Sequence, residues 1–332
     1  MGSCVSSAFA QSTNAELSGR ITDPNGLPVP KVKIEAVNVL TNVSTSTETN
    51  EAGIYVMPSL QPAIYRILVE KEGFDLIVKP NVELHVQDHG VLNFQLRVGS
   101  IATTVTVEGG APLINTQDAA VSTVVDRQFA ENLPMNGRSF QTLIELTPGV
   151  VLTTGNAADA GQFTVNGQRA SSNYWMVDGV SANIGVGSQA QYGSSLGGTV
   201  GSFSVSGGTN SLVSVDALQE FRVQTSTYAP EFGRTPGGQI SIVTRSGTNR
   251  FHGTLFDYLR NDVLDANDWF ANKAGLAKPK ERQNDFGGTF SGPILQDRTF
   301  FFFSYEGLRL RLPQTRLTTV PDASFTPGGT TN

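Results

Sequence analysis

The chain comprises 332 residues, with a formal charge of −6 and a pI near 5.2. That length suggests two or three domains with ample chain to bury a core, while the acidic balance offers no basic surface for phosphates and excludes nucleic acid as an expected partner. No apolar run reaches twenty residues, which argues against a transmembrane helix. Membrane-spanning strands stay open, because each needs only about 9–11 residues and alternates in polarity.

The chain starts MGSCVSSAFAQ, and Ala8-Phe9-Ala10 before Gln11 suits the small-residue cleavage site of a secretory signal. The charged start and apolar core of such a signal are missing, so residues 1–10 read as a signal-peptide remnant, against the blander reading of a disordered terminus. Cys4 is the single cysteine, so no intrachain disulfide is expected. A lipid anchor on it is weakly supported, since no apolar stretch precedes it. The 35 glycines favour turns and loops over long helices.

Residues 16–100 carry several short segments of period-2 alternation. ELSGRITD ends in the turn Pro24-Asn25-Gly26; KVKIEAVNV, STSTET, GIYVM, IYRILVE and VLNFQLRV follow at short intervals. Such spacing predicts one small β-sandwich. Gly19, Asp23, Gly26, Pro28, Val29 and Pro30, then Asn50, Gly53, Tyr55, Leu60, Tyr65, Gly73 and Phe74, resemble the carboxypeptidase-regulatory-like domain, a transthyretin-like or carbohydrate-binding-like sandwich. Ala63 departs from that pattern, where the family has Gly. The resemblance implies no peptidase activity.

Next comes IATTVTVEGGAPLINT, in the linker 101–116. Thr103 to Val107 are β-formers and Gly109-Gly110 follow at once, which suits a strand that adds to the open edge of another sheet; an ordinary last strand of the first domain reads equally well. Within 117–246, DRQFAENL and SFQTLIEL predict short helices, the second capped by Ser139. Asn166-Gly167 and Asp178-Gly179 offer hairpin turns around SSNYWMV. Ile184 to Ser211 is Gly/Ser-rich and reads as loop. DALQEFRVQTSTY predicts a helical turn passing into a strand, and GGQISIVTRSG a strand bounded by glycines. Tyr174 and Trp175 can stack on a sugar or anchor this region internally, and the second role is favoured.

Residues 248–332 change character. In ERQNDFGGTFSGPI, Phe286, Gly288, Phe290, Gly292 and Ile294 share one face, and Asp285, Gly287, Thr289 and Ser291 the other. Then comes RTFFFFSYEG, a local excess in a chain only 8% aromatic. Phe300 and Phe302 fall with Ser304 and Glu306; Phe301, Phe303 and Tyr305 fall opposite. A strand apolar on both faces suits a sandwich core, but its long, half-polar neighbour suits a barrel wall, with one face on lipid and the other packed against something in the lumen.

ENLPMNGRSFQTLIELTPGV, FTVNGQRASSNYWMVDGV, LQEFRVQTSTYAPEFGRTPGGQISIVTRSGTNRFHGTLFDYLRND and FGGTFSGPILQDRTFFFFSYEG together resemble the N-terminal part of a TonB-dependent outer-membrane receptor of the Oar-like type. The resemblance implies a mainly β chain: a regulatory-like sandwich, a TonB-box region, a mixed α/β plug at 117–246, then the first antiparallel strands of an incomplete transmembrane barrel. It makes Thr103, Thr104, Val105, Thr106, Val107 and Glu108 a TonB-box-like segment. It makes Phe300, Phe301, Phe302, Phe303 and Tyr305 a membrane-facing aromatic set. It also implies a TonB-type periplasmic energy-transducing partner, contact with outer-membrane lipid, and a ligand that is carbohydrate, siderophore or peptide. From Thr248 about 85 residues remain, enough for about three or four strands where the smallest closed barrels need about eight. The chain is therefore expected to work only with the rest of a barrel.

Competing chemistry is weak. Gly193-Ser194-Ser195-Leu196-Gly197 matches the nucleophile elbow but lacks its strand and helix. Gly185 to Ala190 imitates a dinucleotide fingerprint with the same defect. His85 and His89 in HVQDH lie roughly 13 Å apart on an extended chain, too far for one metal, so a solvated strand end or turn is expected. No catalytic residue and no cofactor follow. The alternative is a secreted β-rich carbohydrate-binding or adhesion protein, which explains the sandwich and the charge but not the motifs after residue 130.

Overall fold

The computed structural model describes residues 13–99, 104–106, 120–132, 141–152, 163–169, 172–183, 213–228, 232, 235–267, 269–278 and 280–311. The expectations for residues 1–10, Cys4, Ser139, the Gly/Ser tract with Ser195 and the Gly185–Ala190 mimic, Thr103, Val107 and Glu108 fall outside them. Two compact units are present, one formed by residues 1–254 and 288–305, the other by 255–287 and 306–332.

In the first unit the N-terminal strands form two layers. They are β1 (Ala15–Thr22), β2 (Lys33–Asn38), β3 (Ser44–Glu48), β4 (Ile54–Leu60), β5 (Ala63–Glu70), β6 (Leu76–Leu84), β7 (His89–Val91), β8 (Phe94–Gln95) and β9 (Thr104–Thr106). One layer has the order β4-β1-β7, with β8 also on β1; the other has the order β3-β2-β5-β6-β9. The alternation in the sequence does the sorting. In IYRILVE, Tyr65, Ile67 and Val69 are buried while Ile64 and Arg66 face outward, as the period of a half-buried strand requires. Leu17, Ile21, Ile34, Tyr55, Met57, Ile67, Leu84 and Leu96 close the core between the layers, each large apolar side chain contributing about 1.5–3 kcal/mol by burial. Burial also pushes the Tyr55 phenol well above its ordinary pKa, and its hydroxyl donates to the Leu92 carbonyl at 2.7 Å. A β-carbon at Gly19 would lie 1.9 Å from that same Leu92 oxygen, so only glycine lets the chain pass there.

The middle region is a five-stranded sheet of order β10-β15-β16-β13-β14. Its strands are β10 (Val121–Asp126), β13 (Tyr174–Val177), β14 (Val180–Ser181), β15 (Leu218–Ser226) and β16 (Gln239–Thr244). Helices α1 (Arg127–Asn132) and α2 (Gln141–Ile144), with a small ladder of β11 (Val150–Leu152) and β12 (Phe163–Val165), contribute to one face. Asp126 caps α1 by accepting from the Phe129 amide at 2.8 Å. Leu143, Ile144, Phe163, Trp175, Phe221, Val223, Ile240 and Ile242 make the core of that face. Trp175 meets Phe163 edge-on at 5.4 Å. Tyr174 and Met176 point the other way, into a smaller cluster with Phe232, so both aromatics of the YWMV segment pack internally.

The helical turn expected before β15 is present at Val215–Ala217, capped by Ser214. Asp178-Gly179 forms the expected hairpin, pairing Val177 with Val180, with both turn residues at positive φ. Asn166-Gly167 has the same backbone signature but makes no hairpin: β12 pairs with β11 before it, and β13 after it pairs with β16 and β14. The dipeptide fixes a tight turn; long-range pairing decides what the turn connects.

A third, three-stranded sheet has the order β17 (His252–Asn261), β18 (Arg282–Leu295), β19 (Thr299–Arg311). A β-carbon on Gly247, just before β17, would lie 2.4 Å from the Phe301 carbonyl oxygen and 2.8 Å from that of Gly292. In the second unit α3 (Trp269–Lys273) sets Trp269 edge-on to Phe270 at 5.0 Å, with Lys273 over the indole at 5.1 Å. There the Arg309 guanidinium lies 5.7 Å from the Phe286 ring centre.

Candidate functional site

Three surfaces of the first unit bear on function. The first is β9. It pairs parallel with β6 through Leu76↔Thr104, Ile77↔Val105 and Val78↔Thr106, and stands at the end of its layer. Of the six box-like positions, Thr104, Val105 and Thr106 therefore sit on the sandwich edge; Thr106 is exposed. In the structure the stretch takes the place of a last strand of the first domain, on the edge of its own sandwich.

The second surface joins the turn His85–Asp88 to β15. The strand alternates Phe221 and Val223, in the middle core, with Glu220, Arg222 and Gln224 on its other face. His85 Nδ1 lies 2.9 Å from Glu220 Oε2, and the Val86 amide donates to Glu220 Oε1. Arg222 pairs with Asp88 and reaches Ser122 Oγ at 3.3 Å. Gln224 donates to Gln87 Oε1 at 3.2 Å. Glu220, Arg222 and Gln224 are nearly inaccessible, at 4%, 4% and 2% exposure, and a buried carboxylate is tolerable only when donors meet it. The hydrogen bond to Glu220 holds the His85 imidazole above its ordinary pKa, against the opposing effect of burial. The turn is kept in shape by Gln87 at φ 57° and by the His85 amide donating to Asp88 Oδ2 at 2.9 Å.

This corrects the expectation of a solvated HVQDH. His85, Gln87 and Asp88 bond to protein, because β15 supplies a complementary polar row. The signal existed in the sequence as EFRVQ, where two opposite charges and an amide alternate with Phe and Val, but nothing there named the partner turn.

A separate tie links the β2–β3 loop to the β18–β19 turn. The Asn249 amide donates to the Leu40 carbonyl at 3.1 Å, and its side chain to Thr41 O at 2.8 Å and Asp297 Oδ1 at 2.7 Å. Asn42 also donates to Asp297 Oδ1, at 2.9 Å. Between these two ties lies a cleft of about 700 Å³ whose lining includes Glu83, His85, Arg127, Asp178, Glu220 and Arg245. Among the described residues, no group of three or more His, Cys, Asp or Glu is arranged to hold a metal ion.

The third surface is the aromatic stretch. Phe303 is 62% and Tyr305 57% exposed, and Phe251, Phe290 and Ile294 are exposed likewise. Phe251 stacks on Phe290 at 5.9 Å, and Phe290 meets Phe301 at 5.4 Å. Phe302 departs from the outward set in which it was expected: it packs against the middle core, with the Arg245 guanidinium 5.5 Å from its ring centre. Ser304, on the same side, lies 3.4 Å from Ser214. Phe300 is half-buried. Four consecutive Phe residues thus divide by strand parity, as the alternation of a strand demands.

Comparison with known proteins gives the class. Residues 16–97 match the carboxypeptidase regulatory-like domain, and residues 243–332 match the outer membrane beta barrel domain. The chain is that of an outer-membrane protein carrying a regulatory-like sandwich ahead of barrel sequence. More particularly, it is similar to the TonB-dependent transporter Oar of Myxococcus xanthus, at 28% identity over 324 residues, covering 94% of this chain. The chain spans 28% of the length of that relative. Among solved structures, the siderophore receptor PirA from Acinetobacter baumannii (21% identity, 57% of this chain, 24% of that one) and the outer membrane transporter YddB from Escherichia coli (17%, 57%, 26%) each give a TM-score of 0.39. A hydroxyquinol 1,2-dioxygenase from Pseudomonas putida gives 0.20, at 11% identity over 28% of this chain and 59% of that one. At such scores the structural likeness carries no functional weight.

Proposed function

We propose that this chain is the N-terminal part of a TonB-dependent transporter that moves a large ligand across the bacterial outer membrane without chemistry on it. In this reading residues 16–100 are the periplasmic sandwich, 101–116 carry the TonB-box-like strand, 117–246 are the plug, and 248–332 begin the barrel. Thr103 to Glu108 pair with a TonB-type periplasmic protein by β-augmentation, and its pull rearranges the plug so that ligand passes. Energy comes from the inner-membrane proton gradient. The ligand class is siderophore, carbohydrate or peptide.

The observation that supports this best is the two-sided third sheet. Phe303 and Tyr305 are exposed, and Phe302 and Ser304 turn onto the middle sheet. A wall strand needs that division when lipid lies on one side and a plug on the other. The polar, loop-rich middle region suits a plug, which fills an aqueous lumen. The test is uptake by cells producing the transporter with and without residues 103–108. Deletion is expected to abolish energised uptake and leave ligand binding at the cell surface intact. Uptake that survives both the deletion and collapse of the proton gradient would overturn the reading.

A further inference from the structure

We propose that Arg282, Arg309 and Arg311 form a docking surface for the phosphate groups of a lipid head group. This rests on the reading of residues 248–332 as barrel wall. Strand parity puts all three on the face that carries the exposed rings. On β18 that face holds Ile294, Phe290, Phe286 and Arg282, while Asp285, Thr289 and Ser291 are buried on the other. On β19 it holds Phe303, Tyr305, Arg309 and Arg311, each of them exposed. The two rows belong to one face, because the Arg309 guanidinium lies 5.7 Å from the Phe286 ring centre. On β17, Thr254 meets Thr289 on the inner side, Oγ1 to Oγ1 at 2.8 Å. The same parity turns Arg260, 3.8 Å from Glu281, inward and Asp257 outward.

From Ile294 back to Phe286 every outward position is apolar or glycine. That is roughly 26 Å of strand, or about 20 Å of height once the strand tilts. It fills most of an outer-membrane barrel's apolar band of about 25 Å. Asn284 and Arg282 lie beyond it on β18; on β19, Arg309 and Arg311 follow Gly307. Charge on a lipid face is costly at mid-bilayer and tolerated at its border, so the arginines mark where hydrocarbon meets head groups. β18 and β19 are joined by residues 296–298 and run opposite ways, which carries Arg311 from Phe286 toward Asn284 and Arg282. Three guanidinium groups stand against one outward carboxylate, Asp257. All three cations are arginine, whose planar fork takes two phosphate oxygens at once, and the Phe286 ring steadies one of them. The turn at the other end of both strands is tied to the sandwich through Asp297. With the sandwich periplasmic, the arginine end belongs to the cell-surface leaflet, and the partner is a phosphorylated glycolipid of that leaflet.

The test reconstitutes the transporter carrying this chain into phosphatidylcholine vesicles containing bisphosphorylated lipid A or its phosphate-free form. Lipid retained after detergent extraction is counted by native mass spectrometry. The parent is expected to retain at least fivefold more of the phosphorylated form, and Arg282→Gln/Arg309→Gln/Arg311→Gln to lose that preference. Equal retention of the two forms by the parent, or an unchanged preference in the triple variant, overturns the proposal. Should the triple variant fail to assemble, Arg309→Gln alone is expected to cut the preference at least twofold, and no change overturns the proposal equally. Inorganic phosphate bound as tightly as lipid A overturns lipid as the source. Phe303→Cys in a Cys4→Ser background, labelled with bimane and exposed to brominated lipid, tests the wall reading separately. Quenching without a phosphate preference sinks the proposal alone; no quenching sinks the wall reading and the proposal with it.

Discussion

The sandwich and the middle sheet are both β-structures of similar strand length, yet they are built on opposite terms. The sandwich closes on itself: two layers share one apolar core. The middle sheet closes on its neighbours. One face of β15 supplies Phe221 and Val223 to a core, and the other supplies Glu220, Arg222 and Gln224 to partners on the sandwich turn. The difference teaches that burial in this chain comes in two kinds, one indifferent to partner identity and one that works only with a particular partner.

Substitutions can break or sharpen that contrast. The largest loss is expected from Phe221→Ala, which empties a fully buried site and should cost about 3–5 kcal/mol, against about 2–5 for Ile67→Ala in the sandwich. Urea unfolding of a Trp269→Phe variant reads this, because Trp175 then reports the middle core alone. Next is Glu220→Ala, which leaves the His85 ring and the Val86 amide without their acceptor and should cost about 3–5 kcal/mol if the pair is ionised, nearer 1–3 if it is not. A loss confined to sandwich unfolding, with the Trp175 transition unmoved, would erase the proposed distinction.

A pH series sharpens the contrast further. The folded His85 pKa is raised above 6.5 by Glu220, with Asp88 and Glu83 adding to it. The stabilisation from that pair is therefore full below about 6.5 and is lost as pH rises through the folded value. The stability gap between parent and His85→Gln is expected to narrow as pH rises above about 6.5. A gap that widens over that range refutes the assignment. The smallest effect belongs to the sandwich surface, where Lys33 and Glu35 pair at 3.2 Å. Glu35→Gln should move stability by no more than about 0.5 kcal/mol in a thermal melt.

How much was legible follows the same division. IYRILVE disclosed its inward face because one core absorbs Tyr65, Ile67 and Val69 whatever lies opposite. Four consecutive Phe residues disclosed two faces by parity, but not which rings met protein; Phe302 is assigned only by the neighbouring middle core. HVQDH disclosed nothing of its role. Its partners lie more than 130 positions later, and a hydrogen-bonded row looks in sequence like any solvated strand. The box-like strand showed its extended habit, while the edge that receives it is a property of β6.

Among the described residues, the sandwich is tied to the rest of its unit at the His85–Asp88 turn and at the Leu40–Asn42 loop. A body pinned at one point can swivel in any direction; pinned at two, it keeps a single axis, the line through both pins. Whichever fastening yields first thus selects between a door and a ball joint. The first pin includes the His85–Glu220 pair, whose contribution fades as pH rises through the raised His85 pKa. The second rests largely on amides, so alkaline pH loosens the first pin before the second.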